Sequence, residues 1–287
     1  MSKKVVLITG TNSGFGWLTA NTVASHGHKV YATMRATTGK NAEKAKALSE
    51  IENITVLDLT LTDDKSVTNA IETIIAEEGT IDVLVNNAGY AITGVAESFT
   101  TTDVQEMFDV HVFAPWRLMK KVLPTMRKQS KGLIINVSSG FGRFSFPFFA
   151  VYGASKFGLE GLSEGLYYEA RPLGIDVAIL QPGGFPTEMY QKNYASSDPS
   201  VNEGYKAIAG IPEKMGAAVG QMMEEVKPDP QDVADAVLKL INSPKGKRPL
   251  RTVVDPSTGK MTQAANEAVQ VEYSKVLRAY GMGDLLA

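Results

Sequence analysis

Short apolar runs alternate with stretches of helical periodicity along most of the chain. Val5 to Thr9 is an uninterrupted, largely β-branched run, the pattern of a strand buried on both faces. Comparable runs occupy Lys29 to Arg35, Ile54 to Leu59, Ile81 to Val85, Gly132 to Ser138, Ile175 to Leu180 and Arg251 to Val254. Between them the period lengthens. Gly14 to Ser25 reads as a helix ended by Gly27, and Ala42 to Glu50 as an Ala/Lys/Glu-rich one. Val67, Ile71, Ile74 and Ile75 fall at i, i+4, i+7 and i+8, one stripe of an amphipathic helix. Thr101 to Val112 and Pro115 to Lys128 form one long helical region with Pro115 inside it, which predicts a bend or break there. Ala150 to Arg171 stops at Pro172 and Gly174, and Asp229 to Ile241 and Met261 to Tyr280 complete the helices. Residues 186–227 lose regular periodicity and are rich in Gly, Pro and Met, so an irregular segment is expected there.

Strand–helix alternation at this spacing implies right-handed crossovers and a parallel sheet covered on both faces. The expected class is α/β, a single doubly wound Rossmann-like domain over residues 1–287, with 186–227 long enough to serve as a substrate lid. Composition agrees: 287 residues, 44% hydrophobic and 21% charged, suffice for a full core without staples. Charge narrows the partners. Lys+Arg 29 against Asp+Glu 31 leaves no electrostatic footprint for nucleic acid or anionic lipid. The absence of Cys excludes disulfides, thiolate metal sites and a Cys nucleophile. No apolar stretch approaches bilayer-spanning length, and Met1 to Lys4 lead directly into the first strand, too short for a signal segment. The expectation is a soluble, cytoplasmic protein. Lys245-Gly246-Lys247-Arg248, between two prolines, reads as a solvated loop, and His26 and His28 read as surface residues. Three His so placed make no metal cluster.

Chemistry enters at the end of the first strand. Gly10-Thr11-Asn12-Ser13-Gly14-Phe15-Gly16 opens a helix. Such a corner needs backbone conformations that a Cβ forbids, a close approach to a pyrophosphate, and the unpaired N–H groups of a helix N-terminus. A tight strand–helix connection would also use Gly, but the position at the head of a βαβ unit favours dinucleotide binding. The second strand ends Ala32-Thr33-Met34-Arg35, without the acid that binds a ribose 2′-hydroxyl and with an Arg suited to a 2′-phosphate. NADP is therefore favoured over NAD.

Tyr152 and Lys156 lie at i and i+4 at the head of a helix, so both side chains project from one face. A fixed ammonium close to a phenol favours phenolate, which makes a proton donor or acceptor that works near neutrality. Ser139 follows a buried strand at its carboxyl end, where open α/β sheets bind ligands. Singly, each residue has an ordinary reading; their order is the specific signal. Gly10 to Gly16, Asn86-Asn87-Ala88-Gly89, Ser138-Ser139, Tyr152-Gly153-Ala154-Ser155-Lys156 and Pro182-Gly183 together resemble the short-chain dehydrogenase/reductase family over residues 3–190. Tyr-Ala-Thr-Met-Arg after the second strand is similar to its NADP-preferring, hydroxysteroid-dehydrogenase-like and carbonyl-reductase-like members. The resemblance implies Tyr152 as general acid or base, Lys156 as the group that lowers its pKa and bonds the nicotinamide ribose, and Ser139 as the anchor of the substrate oxygen. It also implies that Asn86, Ala88 and Gly89 border the cofactor, that Asp58 and Leu59 lie near the adenine, and that Pro182, Gly183 and Thr187 flank the nicotinamide. A homodimer or homotetramer is implied by the family habit of pairing the helices near 101–129 and 151–171.

One position departs from the family pattern. Where an Asn usually bends the helix and holds a water of a proton relay, this chain has His111. An imidazole can bond water and backbone through its two nitrogens, so His111 either substitutes in the relay or only fills the space. Between Ser139 and Tyr152, five Phe occupy nine positions, against 8% aromatics in the whole chain. Phe141 and Arg143 are expected nearest the chemistry, with Tyr90, Met189, Tyr190 and Tyr194 as further lining residues. Met215, Met222 and Met223 suit adaptable packing on an apolar ligand. The reading is an oxidoreductase acting on a bulky apolar ketone, aldehyde or alcohol. Two alternatives stay open: a dinucleotide-binding regulator without turnover, and a lyase or epimerase that retains its cofactor.

Overall fold

The computed structural model describes residues 3–188 and 196–286. Its strands are β1 Val5–Thr9, β2 Lys29–Met34, β3 Ile54–Asp58, β4 Val83–Asn86, β5 Gly132–Val137, β6 Ile175–Pro182 and β7 Arg251–Val254. Its helices are α1 Gly14–Ser25, α2 Ala42–Ser49, α3 Asp64–Glu78, α4 Thr101–Phe108, α5 Ala114–Gln129, α6 Ala150–Ala170, α7 Ile211–Val226, α8 Gln231–Asn242 and α9 Gly259–Ala279. One sheet runs in the order β3-β2-β1-β4-β5-β6-β7, with every pairing parallel.

The uninterrupted apolar runs follow from this architecture. All residues of β1 and β6 are buried, because helices cover both faces of the sheet. Alternate side chains serve opposite layers. Val6 and Ile8 pack on one side with Ala20 and Val23 of α1 and Val233 and Val237 of α8. Val5 and Leu7 pack on the other with Ile71 and Ile74 of α3, Leu118 and Val122 of α5, and Leu166 of α6. A smaller cluster of Ile92, Met107, Val151 and Tyr152, joined by Tyr90, Phe141 and Phe149, lies beyond the carboxyl ends of the strands. Strand order reverses between β1 and β4, and such a switch point is where open α/β sheets take ligands.

Several expectations are corrected. The break in the long helical region comes before Pro115, as a π-helical turn over Asp109–Phe113. Pro115 itself sits in the first turn of α5, where its missing N–H costs nothing. The segment read as irregular contains α7, a helix with none of its residues buried. Its stripe, Met215, Val219, Met222, Met223 and Val226, has helical spacing but is diluted by Gly216 and Gly220. His28 is buried rather than at the surface, between the backbone N–H of Lys4 and Asn242 Oδ1. Arg248, expected in a solvated loop, is also buried and pairs with Asp176.

Candidate functional site

The glycine turn after β1 is as tight as a chain allows. Gly10 and Gly14 have φ of +70° and +53°. A Cβ on Gly10 would lie 2.7 Å from Ala88 Cα, and one on Gly16 would strike the Gly10 carbonyl. The end of β4 is clamped against this turn. Thr9 Oγ1 accepts from the backbone N–H groups of Asn87 and Ala88, both at 3.0 Å, while Asn87 Nδ2 donates to the carbonyls of Thr9 and Gly10 at 2.9 and 3.2 Å. Ser13 is the extended N-cap residue of α1 and spends no side-chain bond on the cap, so the first-turn N–H groups are left without intrahelical partners. From β6 the chain returns over the turn. Gly183 packs where Asp255 leaves no room for a side chain, and a Cβ on Gly14 would be 3.7 Å from Thr187 Cβ. The Phe185 ring meets Phe15 edge-on at 5.5 Å.

Beyond β2, Arg35 is exposed and its carbonyl accepts from Asn41 Nδ2 at 2.6 Å. Asn41 Oδ1 in turn accepts from Asn12 Nδ2 at 3.4 Å. Asp58 is occupied by the N–H and hydroxyl of Thr37, at 2.8 and 2.9 Å. Two expected border residues face inward instead. Leu59 packs in the core beside Tyr31 and Val67, leaving only its backbone to meet a ligand. Asn86 donates to Asn136 Oδ1 at 2.7 Å inside the sheet, and its own Oδ1 has no protein partner.

The second half of the site lies across β5 and α6. Lys156 Nζ is 5.7 Å from the centroid of the Tyr152 ring and donates to the Val137 carbonyl at 3.0 Å. Val137 ends β5, so this bond holds α6 close to Ser139, which is extended and accepts the Phe141 N–H on Oγ at 3.2 Å. Tyr152 and Lys156 are both buried, at 7% and 5% exposure. Desolvation drives the Lys156 pKa down to about 8, with the Glu160 carboxylate pulling the other way.

Phe141 reaches Tyr152 with its ring edge at 6.2 Å and stacks on Phe146 at 5.0 Å. Phe149, which follows Phe148 in the left-handed region at φ +65°, closes the group at 4.9 Å from Phe141. These rings make an apolar wall beside Tyr152. Arg143 lies in the same loop. Its electrostatic neighbours are Arg251, Glu160 and Glu164, and one of its terminal nitrogens is buried without a protein partner. Tyr90 packs its ring 5.7 Å from His111. Met189, Tyr190 and Tyr194 lie outside the described residues.

His111 is 1% exposed. Nε2 accepts the Tyr90 N–H at 3.2 Å, and Nδ1 lies 2.8 Å from Ser155 Oγ. Burial, then the Lys156 charge, holds its pKa well below the ordinary imidazole value. Of the two readings left open for this ring, a relay would need a free nitrogen, and both are engaged by protein groups. Sequence reading also missed Ser155 and a buried polar network. Glu160 Oε1 accepts from Ser138 Oγ at 2.9 Å and Gln181 Nε2 at 2.7 Å, and Glu160 Oε2 from Arg251 Nε at 2.9 Å. Glu160 stands at i+4 from Lys156, which was the one available signal.

No group of three or more potential metal ligands occurs among the described residues, and none of their helices is long and apolar enough to cross a membrane.

Comparison with known proteins agrees with this geometry. A family profile described as short chain dehydrogenase matches residues 4–198. The chain is 36% identical to a 3-ketodihydrosphingosine reductase of Bacteroides thetaiotaomicron over 79% of its own length and 86% of the relative's. It is 34% identical to human 17-beta-hydroxysteroid dehydrogenase type 1, over 85% and 76% respectively. Among solved structures, a short-chain dehydrogenase from Streptomyces avermitilis superposes with a TM-score of 0.78 at 32% identity, covering 98% of both chains. ElxO with NADP bound superposes at 0.74 with 28% identity, covering 91% of this chain and 100% of that one. A profile match over two thirds of the sequence, spanning the glycine turn and the Tyr152–Lys156 pair, places this chain in the short-chain dehydrogenase family.

Proposed function

We propose that this chain is an NADP(H)-dependent carbonyl reductase or alcohol dehydrogenase whose substrate is a bulky apolar ketone, aldehyde or secondary alcohol. The observation that carries the reading is the fully buried Lys156 ammonium beside the Tyr152 ring at the carboxyl end of β5. Glycines whose Cβ positions are blocked by Ala88 and Gly10 suit a pyrophosphate, and an exposed Arg35 closing a second strand that carries no acid suits a 2′-phosphate. Arg35, Asn12 and Asn41 would hold the phosphate of the adenosine ribose; Ser13 and the first turn of α1 would hold the pyrophosphate. The bound nicotinamide supplies the hydride.

The protein's own part is proton transfer and position. In reduction, the Tyr152 hydroxyl gives its proton to the substrate oxygen, and in oxidation the phenolate takes it back. Lys156, charged below about pH 8, stabilises the phenolate between those events. Ser139 Oγ donates to the same substrate oxygen and orients it. Phe141 and Phe149 exclude water from this point.

Substrate class rests on the aromatic wall and on α7, whose stripe from Met215 to Val226 is half-buried at Met215, Val219, Met222 and Met223 and fully buried nowhere. Residues 186–227 act as a lid. Its base is tied down by Tyr205 donating to Glu97 and by Ser197 donating to Asp103. The relatives named for a ketosphingoid base and a hydroxysteroid support a lipid-like substrate. Exposed Phe113, Trp116 and Phe157, on the π turn, α5 and α6, support a homodimer or homotetramer.

The test is NADPH consumption against aromatic aldehydes, ketosteroids and long-chain ketones, with Tyr152→Phe as the blank. Turnover that the variant loses by about a thousandfold or more is the expected result. Equal turnover in both proteins would remove Tyr152 from the mechanism.

A further inference from the structure

His111 has partners that determine its proton arrangement. Its Nε2 faces the backbone N–H of Tyr90, its Nδ1 faces Ser155 Oγ, and the Ser155 hydroxyl lies 2.7 Å from the Tyr152 carbonyl oxygen. A backbone N–H only donates and a carbonyl only accepts. Nε2 is therefore the bare nitrogen, and the Ser155 proton is committed to Tyr152. Nδ1 must then carry the proton and give it to Ser155 Oγ. An imidazolium would set a second N–H against that of Tyr90. The ring's other neighbours make charging it no easier: Tyr90 and Tyr152 flank it at 5.7 and 5.6 Å between centroids, and the nearby charge is the Lys156 ammonium.

Two backbone features aim the ring. The π turn over Asp109–Phe113 inserts one residue into the helical repeat, which buries His111 while leaving Phe113 exposed. Gly89 makes room, since a Cβ there would lie 2.8 Å from Nε2.

We infer that His111 is a positioning residue, a permanently neutral strut with its proton on Nδ1. It runs a one-way hydrogen-bond chain from the Tyr90 amide through Ser155 to the first turn of α6. The chain ties the loop after β4 to the backbone of Tyr152, so that the two walls of the site keep one spacing. The kinetic consequence rests on the role proposed for Tyr152; the state of the ring does not.

Nitrogen-15 spectra of the imidazoles in the full chain test the ring directly, with His111 assigned by the signals lost in His111→Gln. From about pH 5.5 to about pH 9, where a free histidine titrates, one nitrogen stays protonated and one bare, and the protonated one is Nδ1. A ring that titrates in this window, or that carries its proton on Nε2, overturns the inference whether or not any substrate is turned over. If His111→Gln does not fold, Ser155→Ala makes the assignment by moving the Nδ1 signal. A double-mutant cycle then reads the chain, with kcat counted per NADPH-binding site. His111→Gln and Ser155→Ala each lower it about tenfold, and the double variant no more than about twofold further, because both break the same connection. Losses that multiply would mean two independent effects and no chain.

Discussion

Lys156 keeps its ammonium at 5% exposure, hydrogen-bonded to the Val137 carbonyl. Holding a lysine there is unfavourable. Its pKa falls from 10.5 to about 8, so the unfolded chain binds the proton more tightly, and stability rises as pH climbs from about 8 towards 10.5. Lys156→Met should therefore raise thermal stability at pH 7 by about 1–2 kcal/mol after the loss of the Val137 bond, while abolishing turnover. The gain should shrink as the pH approaches 10.5, and a variant less stable than the parent at pH 7 would contradict this. Arg35 is exposed, and among the described residues its guanidinium has no hydrogen-bond partner. Arg35→Ala should raise the KM for NADPH about tenfold and leave that for NADH within about twofold; equal changes would place the 2′-phosphate elsewhere. The closeness of Tyr152 and Lys156 was legible because an i, i+4 pair shares one helix face, and the place of Arg35 because it follows a strand directly. The charges around Arg143, those of Arg251, Glu160 and Glu164, come from α6 and β7, and no local pattern between Ser139 and Tyr152 announces them.

The elements were legible wherever burial imposes a period. Every strand was recognised to within a few residues, because a parallel strand covered on both faces admits few polar residues. The glycine turn was legible for a different reason: Gly16 stands where the Gly10 carbonyl forbids a Cβ. Helix α7 was missed because none of it is fully buried, so its half-buried stripe carries Met and Val beside Gly216 and Gly220 where a core helix would carry Leu and Ala. The π turn was missed because a single inserted residue leaves the surrounding period nearly intact. If α7 closes on substrate, Met222→Glu should lower kcat/KM for a long-chain or steroid ketone about tenfold and change that for a small aldehyde less than twofold. A uniform loss on both substrates would count against a lid.

At the scale of the whole molecule, one buried carboxylate links elements distant in sequence. Glu160 of α6 joins Ser138 after β5, Gln181 of β6 and Arg251 of β7, and Asn266 of α9 extends the network through Gln181. Removing one charge leaves the other uncompensated. Arg251→Met should cost about 3 kcal/mol, on the order of 5–10 °C in Tm, and Glu160→Gln in the same chain should recover part of it. No recovery would mean that the loss came from packing. This network joins residues far apart in the chain without any motif, so no local pattern announces it. The parallel sheet was legible, by contrast, because strand–helix alternation leaves few topologies to choose from.

The central claim is that the site passes hydride to a carbonyl carbon with Tyr152 supplying the proton. It is tested most directly by following deuterium from NADPH labelled at C4, on each face in turn, into a long-chain or steroid ketone. The account predicts an alcohol labelled at its carbinol carbon from one face only, and no labelled product with Tyr152→Phe. Tight NADPH binding with no deuterium reaching any ketone would contradict it, and would make the chain a dinucleotide-binding regulator instead.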